Sequence, residues 1–419
     1  MTSAPSQMRT QRTFTLDLLR AVPAGVLLTV VTTFAILIAN QAFAAPDWAK
    51  GVLLAASPLG MLLGVSAVTF VRRSGLTVNQ GGAVINAVEC GGFLLAAASG
   101  WGDGPPVLWM FVLGLSVAMF CMSVSLPLVA QIYRSQYPDE KRGRLFSLAA
   151  MVRAGASIAG ATVVGKFLAG DMNAYPVALV CFAVASLMVA ACVLGMGKVE
   201  IQQAKRAKLL DAFRHVKDDK PFLKLLTSWM ILGFGNLMAM AMFVEAVANP
   251  KYGYAYDADK VTSLTTVIPQ VAFILFVYSW GRLFDRWNFY VLRAGINVVF
   301  IAGVIVYYCV GGWWGLCIGI ALHGIARSGG NVAWSLWTTK FAEPDRVVDY
   351  MAVHTFATGI RGTLAPFVAL AVAGQFSLAT VGAISAGMMT IATLMIVPDI
   401  KLAHARRKSQ MVVPPKVGS

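Results

Sequence analysis

Charge is scarce in this sequence. Only 13% of its 419 residues are Asp, Glu, Lys or Arg, against about 25% in soluble domains. Acids are the scarcer kind, with 19 Asp and Glu facing 34 Lys and Arg. Cysteines at metal-ligand spacing are also missing. Cys90, Cys121, Cys181, Cys192, Cys309 and Cys317 all fall in apolar runs and none forms a CxxC, so neither disulfides nor a metal site is expected. No GxxxxGK[ST] loop is present, which argues against ATP-driven work by this chain alone. No paired Asp or His cluster stands at membrane depth, so no catalytic residue and no cofactor is expected and the chain does not read as an enzyme. The first apolar run is long and lacks a small-residue cleavage site, so it reads as a retained span.

What is abundant is hydrocarbon. The chain is 58% hydrophobic with a mean hydropathy of +0.70, and a bilayer core needs roughly 20 apolar residues per crossing helix. Twelve such runs are predicted, at 21–43, 48–70, 76–100, 106–132, 145–170, 174–196, 225–248, 261–280, 294–311, 313–338, 348–373 and 376–398. They define an N-terminal tail 1–20, a six-helix bundle 21–196, a basic linker 197–224, a second bundle 225–398 and a basic tail 399–419. The linker carries Lys205, Arg206, Lys208, Arg214, Lys217 and Lys220, with Leu209, Leu210 and Phe213 as an apolar face suited to the membrane surface. The net charge of +15 is not a nucleic-acid signal, because the bases cluster between apolar runs. With the N-terminus inside, 27 of the 34 Lys and Arg fall in inside loops and tails and three outside (Lys50, Lys251, Lys260). That skew orients the chain with both termini cytoplasmic, as a multi-pass protein of a plasma (bacterial inner) membrane.

One unit is used twice. Tyr137-Pro-Asp-Glu-Lys-Arg142-Gly-Arg144 leads into an apolar helix that holds Arg153, and Glu343-Pro-Asp-Arg346 leads into another that holds Arg361. The chain is therefore two related halves. The first of these loops, Gly281-Arg-Leu-Phe-Asp285-Arg286 between spans eight and nine, and the layout of six spans, basic linker and six spans together resemble the major facilitator superfamily. The resemblance covers about residues 15–400. It implies an all-α membrane protein, two six-helix bundles about a pseudo-two-fold axis, with a solute site near the midplane between them. It also implies transport by rocking alternating access, with spans one, four, seven and ten lining the path and two, five, eight and eleven beside them. The loop Val71-Arg72-Arg73-Ser74-Gly75 departs from the pattern. It lacks the carboxylate that in the family caps a neighbouring helix and holds the inside gate closed, leaving Asp285, with Arg286 and the Arg142 loop, to serve an asymmetric gate.

Charges inside spans are costly and are functional candidates. At the helical rise, Arg153 lies about 14 Å beyond Arg144 and Arg361 about 18 Å beyond Asp349; Arg327 lies about 20 Å from Lys340. Three arginines at that depth without a near acid point to an anion-binding centre, since guanidinium matches carboxylate or phosphate. The competing reading is an arginine bound to helix carbonyls or bridging helices at a gate. His323, Arg327 and Asn331 share a face of span ten; His354, Thr358 and Arg361 share one of span eleven; Thr29, Thr33, Ile36 and Asn40 share one of span one. His323 and His354 titrate near neutral pH when solvated; the plainer reading is a buried neutral ring. Glu89 in span three pairs with another helix or carries a proton, and Glu245 near the outer end of span seven is an outer gate residue. Lys166 snorkels. Gly155, Gly160, Gly165 and Gly170 read as packing sites. The function expected is secondary transport of a small organic solute, anionic rather than cationic, by symport, exchange or export. The alternatives are an exporter of lipophilic cations, which calls for a central carboxylate, and a non-transporting receptor or assembly partner on the same scaffold. The expected partners are the solute, a coupling proton and membrane lipid, with no nucleic acid, and the expected state is a monomer.

Overall fold

Backbone amides and carbonyls in hydrocarbon must be paired within the chain, so an apolar chain of this composition folds into helices. The computed structural model describes residues 7–102, 104–200, 219–336 and 347–412, and among these every regular element is helical. The first half holds α1 (Gln7–Thr29), α2 (Ala35–Gln41), α3 (Asp47–Arg73), α4 (Val78–Ala98), α5 (Leu108–Val124), α6 (Leu126–Gln136), α7 (Asp139–Gly170) and α8 (Tyr175–Gly195). The second holds α9 (Lys220–Ala248), α10 (Ala258–Thr262), α11 (Ile268–Arg286), α12 (Phe289–Cys309), α13 (Gly312–Leu336), α14 (Val347–Gln375) and α15 (Leu378–Val412). Among the described residues ten helices are long and apolar enough to cross a membrane, and Asp47–Gly64 with Ser66–Arg73, bent by 57°, makes an eleventh. The tenth predicted span, α13, is a helix of 25 residues outside that set; His323, Arg327 and Asn331 break its apolar run. Most of the basic linker and the Glu343–Arg346 loop lie outside the described residues.

Two expectations change. The stretch 1–20 is expected to be a tail; in the structure α1 already runs from Gln7, and Asp17 and Arg20 pair on one face of it and are buried. Lys50, counted as an outside charge, is buried in the first turns of α3.

The chain sorts into two compact units. The first comprises Met1–Arg206, Met240–Val271 and Thr355–Leu378; the second comprises Ala207–Ala239, Ala272–His354 and Ala379–Ser419. Unit one therefore draws on both halves of the sequence. It joins the first six predicted spans to the end of α9, to α10 and the start of α11, and to much of α14.

Small residues set the helix contacts in both units, as dispersion-driven packing in lipid requires. In unit one a Cβ on Gly92 of α4 would lie 2.7 Å from the Gly114 carbonyl oxygen of α5. In unit two a Cβ on Gly303 of α12 would lie 3.0 Å from the Gly319 carbonyl oxygen of α13. The same device thus recurs between spans three and four and between spans nine and ten. Of the four glycines in α7, Gly160 meets Val26 of α1 and Gly165 meets Thr262 of α10, whereas Gly155 and Gly170 face open space.

Two π-helical turns interrupt unit one, Val30–Phe34 after α1 and Ser263–Val267 after α10. Each turn widens the helix and re-aims its side chains. Thr33 meets Thr265 at 2.6 Å and Thr266 at 2.7 Å, and Thr32 meets Thr266 at 2.9 Å. The predicted polar stripe of span one is thus a hydroxyl seam against span eight.

Candidate functional site

Spacing builds the first charge centre. Asp17 and Arg20 stand three apart on α1, and Tyr133 and Tyr137 stand four apart at the end of α6, so each pair shares a face. Arg20 reaches Asp17 Oδ1 through Nη2 at 2.8 Å and Nε at 3.0 Å, and donates to the Tyr133 hydroxyl at 2.6 Å. The Tyr133 hydroxyl donates to Asp17 Oδ1 at 3.0 Å and the Tyr137 hydroxyl to Oδ2 at 2.9 Å. Asp17 is fully buried. Burial, with Asp17 beside it, pushes the Tyr137 phenol above its ordinary range and keeps it a donor. Sequence reading missed this cluster, although the spacing of the two pairs was visible.

Arg153 lies within electrostatic reach of the cluster, feeling Arg20, Tyr133 and Asp17. Its place is set by Gly25: a Cβ there would collide with the Arg153 carbonyl oxygen and approach Ala156 at 2.8 Å. Glycine thus lets α1 press directly on α7 at this level. Both Asp17 oxygens are occupied by Arg20 and the two phenols. Among the described residues Arg153 makes no hydrogen bond and no ion pair, and it is only half-buried. The cluster with Arg153 holds two cations and one anion.

The second charge centre lies at the other end of the first span, about 30 Å of helix from Arg20. Glu245 of α9 is fully buried. Its Oε1 accepts from Lys50 Nζ at 2.6 Å and from Asn249 Nδ2 at 2.7 Å; its Oε2 accepts from Asn40 Nδ2 at 2.7 Å. Lys50 also pairs with Asp47 of its own helix at 3.0 Å. Gln41 donates to the Tyr256 carbonyl at 2.8 Å beside it. Asn40, expected to bind solute, donates to Glu245 and to the Ile36 carbonyl.

The other candidates are dispersed. Glu89 of α4 is buried and accepts from the Ser186 hydroxyl of α8 at 2.8 Å. Arg361 is half-buried on α14, beside Gly359 and Gly362, which pack on Leu62 and Pro58 of α3. In unit two, the His323 ring packs edge-on to Phe300 and the Arg327 guanidinium stands 5.4 Å from the Phe273 ring. Asn331 is exposed, so burial falls steadily along the predicted face of α13. His354 packs edge-on to Trp229. The same indole is covered by Arg293, 4.0 Å from the ring and buried; by position Arg293 falls in the loop before the ninth predicted span. Lys166 is exposed on α7.

Residues 85–306 match the sequence profile of the Major Facilitator Superfamily, more than half of the chain. The chain belongs to that superfamily. No curated protein sequence matches it. Its fold is similar to that of a variant of the nucleoside transporter NupG, with a TM-score of 0.76 at 15% identity over 92% of this chain and 99% of that one. It is also similar to the xylose transporter XylE from E. coli in a partially occluded inward-open conformation (0.69, 14%, 99% and 100%). A D-xylose–proton symporter gives 0.62 at 12% identity over 93% and 96%. At such identities the likeness is one of fold. The chain is a multi-pass membrane transporter for a small solute, of a family that is not enzymatic.

The superfamily's loop residues are placed as follows. Arg142 closes the turn before α7 by donating to the carbonyls of Arg134 at 3.2 Å and Tyr137 at 3.1 Å. Asp285 is on the last turn of α11, with its side chain outside the described residues. Arg286 is exposed, and Arg282 covers the Tyr278 ring at 4.5 Å. Arg72 and Arg73 are exposed where the acidic residue is missing, and the turn closes on Gly75 at φ +66°.

Proposed function

We propose that this transporter carries a small organic anion by alternating access and that Arg153 binds its negative group. The observation that carries this reading is the charge count around Asp17: one carboxylate, already satisfied by Arg20, Tyr133 and Tyr137, and a second guanidinium, Arg153, that has no counter-ion among the described residues. A half-buried guanidinium presents a planar fork for a carboxylate or phosphate, and charge-assisted bonds of that kind are the strong ones. The Tyr133 hydroxyl and Arg20 lie within electrostatic reach of the same place. The skew of Lys and Arg supports an N-terminus inside, so the Asn40–Lys50–Glu245 end faces outward. NupG and XylE are named for nucleosides and xylose, which makes neutral solutes of those classes the right comparators.

The test is a thermal-shift screen of the purified protein against small carboxylates, phosphorylated metabolites, nucleosides, xylose and lipophilic cations at two pH values. A ligand that binds the folded state raises its melting temperature by mass action. Anion stabilisation that vanishes in Arg153→Ala and persists with neutral comparators absent supports the reading. Stabilisation by cations, or an anion effect unchanged in a folded Arg153→Ala protein, overturns it. Arg361→Ala in the same screen shows whether Arg361, also in unit one, belongs to the site.

A further inference from the structure

We propose that the C-terminal end of α11 is a binding site for an anionic phospholipid. Arg282 and Arg286 hold the headgroup phosphate, and Tyr278 and Leu275 line the glycerol and the start of an acyl chain. The inference is independent of which solute the protein carries.

Helix geometry sets the site. α11 packs on α13 through one face. The Trp280 indole donates to the Ile325 carbonyl at 3.0 Å, a Cβ on Gly329 would lie 2.8 Å from the same ring, and the Phe273 ring lies 5.4 Å from the Arg327 guanidinium. Phe284, one turn beyond Trp280, is buried on that face and meets Phe289 of α12. At about 100° per residue, Leu275, Tyr278, Arg282 and Arg286 stand about half a turn away, on the opposite face. All four are exposed, Leu275 to 66% and Tyr278 to 65%. The packing that fixes α11 on its neighbours in unit two therefore leaves this face uncovered.

The order of groups along the face is the order of a leaflet: an apolar side chain, then an amphipathic ring of the kind that sits at headgroup level, then two cations. Leu275 to Arg286 spans about 16 Å of helix, half of a hydrocarbon core of about 30 Å. On the orientation that the Lys and Arg skew supports, this end lies at the inner leaflet, whose surface is negative. Arg282 lies over the Tyr278 ring at 4.5 Å. Stacking occupies the flat face of a guanidinium and leaves its N–H edge free to fork onto a phosphate. Arg286 stands one turn on, so the second guanidinium is on the same side. Among the described residues neither arginine makes an ion pair or a hydrogen bond that would compete for the phosphate. Arg72 and Arg73, at the end of α3, are also exposed, but as adjacent residues they diverge by about 100°. Charge is equal in the two places; the one-sided, ring-backed pair belongs to α11.

The experiment counts bound lipid. The full chain, purified in detergent and stripped of lipid, is titrated with dioleoylphosphatidylglycerol and read by native mass spectrometry, with dioleoylphosphatidylcholine and soluble glycerol phosphate run beside it. Tight retention of phosphatidylglycerol is expected, weakened about fivefold in Arg282→Gln and roughly tenfold or more in Arg282→Gln, Arg286→Gln. Tyr278→Leu, which removes the ring under Arg282, is expected to act like Arg282→Gln, and Tyr278→Phe to stay within about twofold of the wild type because the stack remains. The Arg72→Gln, Arg73→Gln variant is expected to bind as the wild type does. Should the double variant at 282 and 286 not fold, Arg282→Lys keeps the charge and loses the planar fork, and is expected to weaken retention. Unchanged retention in folded Arg282 variants overturns the proposal. So does equal weakening in the Arg72, Arg73 variant, which would mean that surface charge alone attracts the lipid. Equal retention of phosphatidylcholine overturns the anionic specificity, and glycerol phosphate bound as tightly as the lipid would make the ligand a water-soluble phosphate instead.

Discussion

The two charge centres of unit one are built on opposite ends of the same span and differ in how their charges balance. At Lys50 and Glu245 the carboxylate is saturated by three donors, and even the cation has a spare acid in Asp47. At Asp17 the carboxylate is equally saturated, but the surplus is positive and sits on Arg153, half-buried and without a counter-ion among the described residues. A balanced buried set holds helices together, because everything it needs is already in the chain. An unbalanced one is stable only while something outside the chain, water or solute, completes it. The contrast separates residues that close a structure from residues that await a ligand.

The most damaging change to this balance is Lys50→Met. It leaves Glu245 buried without its cation, and breaking a buried pair from one side costs about 3–5 kcal/mol. The melting temperature at pH 8 is expected to fall by several degrees, and the double variant Lys50→Met, Glu245→Gln is expected to recover most of the loss because no orphan charge remains. If the double variant melts as low as the single one, the pair acts through packing and not through charge, and the balanced centre is not a charge device.

Asp17→Asn tests the other centre and should cost somewhat less. The amide keeps one acceptor oxygen in place of two, so it accepts at the Tyr133 or the Tyr137 position but not at both, and Arg20 loses its counter-ion, which puts the loss at about 1–3 kcal/mol. The distinguishing effect is on binding. With Asp17 neutral, two guanidiniums face the same place, so small anions should stabilise the variant more strongly than the wild type, by about tenfold in apparent affinity for each 1.4 kcal/mol gained. Equal or weaker anion stabilisation in a folded Asp17→Asn protein would mean that Arg20 and Arg153 do not serve one site, and the contrast between the centres would lose its functional meaning.

Much of this was legible in the sequence. Apolar run length and basic clustering gave nearly every helix, and the 281–286 and 137–144 loops gave the superfamily, because those signals are local. Arg153 and Arg361 stood out because a charge mid-run is conspicuous. Asp17, Arg20, Lys50 and Arg293 did not, because each sits close to the end of an apolar run, where a charge reads as solvated; their burial depends on partners such as Tyr137 and Glu245 more than a hundred residues away. Asn40 is the reverse case. Periodicity says which helix face it occupies and not that Glu245 will meet it there. The π-helical turns at Val30–Phe34 and Ser263–Val267 were also invisible, since they follow from the threonine seam between two distant segments.

The smallest effect is expected at the third buried acid, and it sharpens the rule by exception. Glu89 has neither the cation of Glu245 nor the arginine of Asp17: among the described residues it makes no ion pair, and its hydrogen bond is with the Ser186 hydroxyl. Gln has the same shape and offers the same acceptor to that hydroxyl, so Glu89→Gln should change stability by less than about 1 kcal/mol and leave the anion response intact. The site lies between α4 and α8, helices that hold each other through Asn79 and the Val193 carbonyl at 2.8 Å as well, so the contact does not depend on this one bond. A Glu89→Gln protein that melts several degrees lower would show that this carboxyl, with no cation among the described residues, fastens α4 to α8 by itself.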